Sequence, residues 1–240
     1  MIKVIVNITK AIVAIVVSLF FSSCDFMGIK GSGNVTTENR TVTGDFTTVN
    51  VDDGMEVIIE QGPQSSITVE ADDNLQKHIK TEVKNGELYI SSDQNISNGA
   101  KRITVRLTDI KSISCDGGSS IKSSGLLKGN SIDLSSDGGS SVEVRVEAKN
   151  LNCDSSGGSS LAIVGMAHNI EADASSGSSI EANKLTAHNV KADASSGSSI
   201  TVNPIDKLTA DASSGSTIYY VGTPSKMEKN SDSGGNIVQK

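Results

Sequence analysis

Aromatic residues are scarce in this sequence of 240 residues, which has no tryptophan, four phenylalanines and three tyrosines. A fold with so few large rings must fill its core with aliphatic and very small side chains. A groove that grips sugar rings usually contains aromatic side chains, and only Tyr219 and Tyr220 could serve. We expect these two tyrosines instead to cover the C-terminal end of the fold together with the terminal tail.

Cysteine and histidine are also scarce, with three residues of each. Cys115 and Cys153 are too few for a disulfide framework. A serine nucleophile needs a histidine base and an orienting acid, and the sequence has no G-x-S-x-G elbow. Signals for phosphate loops, dinucleotide-binding loops, zinc fingers and helix-turn-helix motifs are missing as well. These gaps argue against an enzyme, and no cofactor is predicted.

The long apolar run of the sequence lies near its start, at Ala11–Phe21, after Lys3 and Lys10. A bilayer span needs about 20 apolar residues, so the run is too short to cross a membrane comfortably. A charged start, a short apolar stretch and small residues before a cleavage point are typical of a secretory signal. We predict that residues 1–23 form a signal peptide.

Ser22 and Ser23 directly before Cys24 resemble a bacterial lipobox, in which the cysteine becomes the lipidated first residue of the mature protein. Phe21 stands where leucine is usual, and Ser23 where glycine or alanine is usual. We predict a lipid anchor at Cys24, a linker over residues 24–30 and a place in the cell envelope, at the outer membrane. The alternative is an ordinary signal peptide cut nearby, which leaves Cys24 as a free thiol.

Basic residues are outnumbered in the mature chain. Without Lys3 and Lys10 the count of Lys and Arg falls from 21 to 19, against 28 Asp and Glu, a net charge of −9. Binding of nucleic acid needs a basic surface, so we predict no nucleic-acid partner.

Repetition is what the sequence has in abundance. ADASSGSSI occurs at Ala172–Ile180 and again at Ala192–Ile200. Aligned on the glycine of each such stretch, seven repeats spaced 18 to 21 residues apart fill the C-terminal half. Three positions after each glycine stands one apolar column: Ile121, Val142, Leu161, Ile180, Ile200, Ile218 and Ile237. Ten positions before these residues, from Val142 on, stands another: Ile132, Leu151, Ile170, Val190, Leu208 and Met227.

Short alternating strands that repeat the same residue types column by column predict an all-β fold, a parallel β-helix or β-solenoid of about 19 residues per coil. Coils stack about 4.8 Å apart, so equal residues form ladders, such as Asn150, Asn169 and Asn189. Cys115 and Cys153 fall about two coils apart, too far for a disulfide. We predict one domain over residues 31–240, less regular at 31–110 and regular at 111–240, with degenerate coils from Val49–Ile59.

Residues 31–62 (GSGNVTTENRTVTGDFTTVNVDDGMEVIIEQG), residues 66–90 (SITVEADDNLQKHIKTEVKNGELYI) and the SSGSS coils resemble the "putative auto-transporter adhesin, head GIN domain" family of exported Bacteroidetes-type lipoproteins. The resemblance covers about residues 31–240. It implies a right-handed parallel β-helix similar in shape to pectin-lyase folds, an adhesive role at the envelope and no known catalytic residues.

Two polar columns are candidate sites. The first is an outward acidic column of Asp154, Asp173, Asp193 and Asp211. These carboxylates could bind Ca²⁺, or they could simply be solvated or cap the corners of the coils. The second stacks His168 on His188, with Asp206 one coil further, as a metal or proton-relay column or as exposed residues copied with the repeat. We favour the simpler alternative for both columns and predict no metal site.

The function we expect is non-catalytic adhesion, with a glycan or a host or cell-surface protein as ligand, because stacked coils repeat one weak contact many times. One alternative is a structural envelope protein that forms homo-oligomers through the ends of its solenoid. Another is a polysaccharide-active β-helix enzyme using paired carboxylates.

Overall fold

The computed structural model describes residues 28–240, which form strands and turns. Within this range there is no helix that could cross a membrane. Cys24 and the predicted signal peptide lie outside the described residues. The strands are β1 Ile29–Lys30, β2 Val35–Arg40, β3 Thr48–Val51, β4 Glu56–Gln61, β5 Ser66–Asp72, β6 Ile79–Lys84, β7 Glu87–Ser92, β8 Ile96–Asn98, β9 Lys101–Leu107, β10 Ser112–Cys115, β11 Ser120–Ser136, β12 Ser141–Ser155, β13 Ser160–Ala174, β14 Ser179–Ala194, β15 Ser199–Ala212, β16 Thr217–Tyr220, β17 Lys226–Ser231 and β18 Asn236–Gln239.

From β10 onward the chain is a β-solenoid of about seven coils spaced about 19 residues apart. Each coil pairs in parallel with the next, so the predicted fold class is confirmed. The first predicted apolar column, from Ile121 to Ile237, is continuous in the strand register. The second, from Ile132 to Met227, is continuous as well.

Each coil is folded into short sides, as β13 illustrates. Inward and outward residues alternate from Leu161 to Ile163, and again from Ile170 to Ala174. The alternation breaks around Gly165 and again at Asn169, where the chain changes direction. A Cβ atom at Gly165 would lie 2.0 Å from the carbonyl oxygen of Val146, so only glycine fits this bend.

A four-residue turn, which we call the serine corner, closes each coil. In Ser175–Ser178 the two central residues have positive φ, 55° at Ser176 and 72° at Gly177, and the N–H of Ser178 donates to the carbonyl of Ser175 at 3.2 Å. The buried hydroxyl of Ser178 also donates to the carbonyl of Ser155, one coil below, at 2.6 Å. The same turn recurs at Asp116–Ser119, Asp137–Ser140, Ser156–Ser159, Ser195–Ser198 and Ser213–Ser216.

The N-terminal strands extend this stack in an order that differs from the order of the chain. β3 lies between β10 and β7, and β4 lies between β11 and β9, all in parallel. As expected, the segment Val49–Ile59 stacks in register with the regular coils, through β3 on β10 and β4 on β11. The layer beneath it, however, is formed by a later segment, β7 to β9. Antiparallel strands β5, β2 and β6 cover that end.

The opposite end of the described solenoid carries lysines over tyrosines. Tyr220 is buried, with Nζ of Lys229 4.2 Å from its ring centre. Nζ of Lys240 lies 4.0 Å from the ring centre of Tyr219. Lys229 itself occupies the inward position above Ala210, where the coils below place small residues. This end is therefore covered by cationic side chains as well as by rings.

Candidate functional site

The predicted acidic column is present on the outer surface of the solenoid. Asp154, Asp173, Asp193 and Asp211 pair in register on four successive coils. Ser135 precedes them and Asn230 follows them. Because parallel strands in register place equal positions directly above one another, the carboxylates form a single row along the solenoid axis.

A second polar column, which we did not predict, runs beside the first, two residues earlier on each strand. Side chains at i and i+2 of a strand share a face, so this signal was available. In it, Nδ2 of Asn152 donates to Asp133 Oδ1 at 2.7 Å. Its members are Asp133, Asn152, Glu171, Lys191, Thr209 and Glu228.

The aspartate column and the serine corners enclose a shallow, open groove along the axis, which we call the acidic groove. It is lined by Ser135, Ser136, Asp137, Asp154, Ser155, Ser156, Asp173, Ala174, Ser175, Asp193, Ala194, Ser195, Asp211 and Ser213. Its walls present carboxylates and hydroxyls at the spacing of the coils. Such a surface suits an extended partner that can make the same contact repeatedly.

Stacking the aspartates changes their acidity. Partial burial, followed by the charges of Glu171 and Asp133, raises the pKa of Asp154. Partial burial also raises the pKa of Asp173, with further contributions from Asp193 and Asp154. Both shifts favour the protonated acid because each carboxylate is desolvated and lies among like charges.

The four candidate aspartates of the column do not converge on one point. The group in the described chain whose ligand atoms lie within 4.8 Å of one another is Glu171, Asp173 and Asp193. Nζ of Lys191 lies 2.6 Å from Oε1 of Glu171 and 3.2 Å from Oδ2 of Asp193. The ammonium group thus already neutralises this part of the groove, and a Ca²⁺ ion would have to displace it.

The two histidines do stack as predicted. The ring centres of His168 and His188 are 5.0 Å apart, with the planes tilted by 38°. Nδ1 of His188 lies 2.7 Å from Oδ2 of Asp206, so the third member of the predicted column contacts the second. All three side chains are exposed.

The two cysteines of the solenoid are free and buried, as expected from their separation. Burial raises the pKa of the Cys115 thiol to about 11 and that of Cys153 further still. Both therefore stay protonated at neutral pH, and neither offers a reactive thiolate.

Comparison with known sequences decides the family. The sequence model of the family "putative auto-transporter adhesin, head GIN domain" matches residues 45–224. The chain belongs to this family. The match spans both the N-terminal layers and the regular coils of the head GIN domain. A comparison with curated proteins finds no match.

Solved structures share the fold. A crystal structure of a "putative adhesin" from Bacteroides fragilis has a TM-score of 0.83 at 22% identity, covering 89% of this chain and 100% of that one. A "putative lipid binding protein" from Parabacteroides distasonis has a TM-score of 0.72 at 20% identity, covering 88% and 99%. A "putative adhesin" from Parabacteroides merdae has a TM-score of 0.70 at 17% identity, covering 88% of this chain and 98% of that one. At these identities the likeness concerns the fold alone.

Proposed function

We propose that this head GIN protein is a non-catalytic adhesin that binds an extended ligand along the acidic groove. The observation that supports the proposal is the alignment of Asp154, Asp173, Asp193 and Asp211 on four successive coils. A glycan chain or an extended segment of a cell-surface protein would meet the same carboxylate and hydroxyl pair at each coil. Weak contacts of this kind add together because the first one raises the effective concentration of the next.

We further propose that the protein is exported and held at the outer membrane by lipid on Cys24. Several acyl chains on one cysteine would make the anchor durable, since membrane affinity grows by about 0.8 kcal/mol per buried methylene. Metabolic labelling with an alkynyl fatty acid, compared between the native chain and Cys24→Ser, tests the anchor. Label that persists in the variant would contradict it.

The binding proposal is tested by probing an array of glycans and matrix proteins with the soluble Cys24→Ser chain, with and without calcium. The groove variant Asp154→Asn/Asp173→Asn should lose binding by about tenfold or more, because it removes two neighbouring carboxylates from one row. The matched control is Glu143→Gln/Glu181→Gln, which removes two exposed carboxylates from another face. The control should bind like the parent.

Other outcomes separate the remaining functions. Equal loss in both double variants would mean that net charge, rather than the groove, governs binding. Soluble fragments released from a bound glycan would overturn the non-catalytic role and favour a polysaccharide-active enzyme. Binding to no glycan or protein, together with concentration-dependent self-association in sedimentation, would favour a structural envelope role.

A further inference from the structure

The structure assigns a transition-metal site to His168 and His188, on a different face from the acidic groove. We infer that the two imidazoles bind one copper(II) ion, or a similar late divalent metal, through their Nε2 atoms, with Asp206 as a positioning residue. The inference is independent of the adhesive role. It adopts the metal alternative that the sequence left open for these histidines, in place of the simpler one that we favoured.

The two rings are close enough together to share one metal ion. A metal–nitrogen distance of about 2.0 Å, plus about 1.1 Å from nitrogen to ring centre, puts two ring centres about 5 Å apart at a ligand angle near 105°. The observed separation of His168 and His188 is 5.0 Å. Successive coils fix this spacing, because both residues stand on paired strands β13 and β14. The backbone therefore keeps the two histidines on adjacent coils, where their exposed rings can turn towards one metal ion.

The contact with Asp206 sets the tautomer of His188. Nδ1 of His188 lies 2.7 Å from Oδ2 of Asp206, so the proton of the neutral ring resides on Nδ1 and Nε2 keeps its lone pair. A carboxylate that holds the second nitrogen of a metal-binding histidine is a common feature of metal sites and raises the basicity of the ligand. Asp206 therefore orients the ring and also contributes negative charge near the metal.

The surroundings favour a borderline or soft metal. His168, His188 and Met166 line one open groove, and Met166 is 57% exposed although it is apolar. Imidazole nitrogen suits copper, nickel and zinc, and a thioether suits copper in its reduced state. Copper(II) is the tightest-binding divalent ion of its series at such ligands. Two further charged residues line the groove: Glu147, which pairs with Lys128 at 2.9 Å, and Lys149.

The chain contains a matched control in His78. Nδ1 of His78 lies 2.8 Å from Oδ1 of Asp93, the same carboxylate contact that His188 makes. The ring pair found in the described chain is that of His168 and His188, so His78 stands without a stacked histidine. If a single carboxylate-bound histidine were sufficient for binding, His78→Ala would weaken it as much as His188→Ala.

The test is a titration with copper(II) chloride at pH 7.5, followed by calorimetry and electron paramagnetic resonance. All variants carry Cys24→Ser, so that this thiol cannot bind the metal. We expect one copper per chain with nitrogen hyperfine splitting. His168→Ala and His188→Ala should each abolish that spectrum, and Asp206→Asn should weaken affinity by about tenfold or more. His78→Ala should leave both the copper spectrum and the copper affinity unchanged.

Two results would overturn the assignment. One is a copper spectrum and affinity in His168→Ala/His188→Ala equal to those of the parent chain. The other is loss of binding in Glu171→Gln/Asp173→Asn, which would place the metal at the carboxylate cluster of the acidic groove. Circular dichroism of each variant should show an intact solenoid, since the altered side chains within residues 28–240 are exposed or half-buried and none belongs to the core.

Discussion

A Cβ atom on Gly157 would lie 2.3 Å from Oδ1 of Asp137, which occupies the first position of the serine corner one coil below. Asp137 uses that oxygen to accept a hydrogen bond from the N–H of Gly138 at 2.7 Å, so the carboxylate cannot move away without cost. An aspartate at the first corner position therefore requires glycine at the second position of the next coil.

The other corners follow the same steric rule. A Cβ atom on Gly138 would lie 2.3 Å from Oδ1 of Asp116, and one on Gly117 would lie 2.0 Å from Oδ1 of Asp52. Where the first position holds serine, the next coil carries a serine at its second position, with φ between 46° and 55°. The serine pairs are Ser156 with Ser176, Ser175 with Ser196, Ser195 with Ser214, and Ser213 with Ser233.

Gly157→Ser should lower the melting temperature by about 5–10 °C, because a left-handed backbone conformation and a steric clash add to each other. The double variant Asp137→Ser/Gly157→Ser should recover at least half of that loss, since it recreates the serine pair of the next coil. Thermal denaturation of both variants measures the coupling.

The control for this pair is Gly158→Ser. Gly158 has a φ of 75° and open space around its Cβ position, so its substitution costs only the backbone strain. Asp137→Ser should not rescue it. Equal rescue at both glycines would show that Asp137 acts through general stability rather than through contact.

Asp173→Asn should raise the melting temperature at pH 7 by about 1–3 °C. The raised pKa values of Asp154 and Asp173 mean that the folded chain holds more protons than the unfolded chain just above the ordinary aspartate pKa. The protonated forms of these two acids therefore stabilise the folded chain. This contribution to the free energy of unfolding is lost as pH rises through that window and regained as pH falls. Asn230 donates to Asp211 at 2.8 Å, and an asparagine at 173 could donate to Asp154 in the same way.

The gain from Asp173→Asn should shrink as pH falls towards 4, because the raised pKa of the native aspartate makes it take up a proton more readily as the pH falls. Asp193→Asn is the control, since it gives up the contact with Lys191 at 3.2 Å and should not stabilise the chain at pH 7. Acids whose pKa is lowered, such as Glu60 and Asp93, act in the opposite direction, so each variant is compared with the parent at every pH. A gain that is independent of pH would contradict this electrostatic account.

Asn169→Ala should lower the free energy of unfolding by about 2 kcal/mol, because it removes two amide hydrogen bonds of about 1 kcal/mol each. Nδ2 of Asn169 donates to Asn150 Oδ1 at 2.8 Å, and Asn189 donates to Asn169 at 2.9 Å. Asn189→Ala breaks only one of these bonds and should cost about half as much. Urea unfolding of both variants checks the ratio, and equal costs would mean that the ladder is not additive.

Lys229→Ala should make the chain self-associate at micromolar concentrations. Lys229 continues the inward column of Ala172, Ala192 and Ala210, and burying its charge beneath another copy would be costly. An inward-pointing charge at an edge strand is a common protection against stacking. Analytical ultracentrifugation should find association in Lys229→Ala and not in Lys226→Ala, an exposed lysine of the same strand. A monomeric Lys229→Ala at all concentrations would remove this role.

Much of the acidic groove could be predicted because the repeat places each residue by its position in a column. The alignment of Asp154 with Asp173 and the ladder of Asn150, Asn169 and Asn189 both follow from counting along the chain. The neighbouring column of Glu171 and Lys191, two residues away on each strand, was not predicted. Their effect on the groove depends on side-chain distances, which counting does not provide.

By itself, the sequence determined the all-β solenoid, its period and its inward apolar columns, because parallel strands in register repeat the same steric requirement in every coil. Only the tertiary structure decided the order of the N-terminal layers, in which β7 and β9 lie beneath β3 and β4. That order depends on long-range pairing between segments that have no repeat in common. The tertiary structure also decided which neighbours touch, such as Asp137 with Gly157, because packing between coils is set by distances of a few tenths of an ångström.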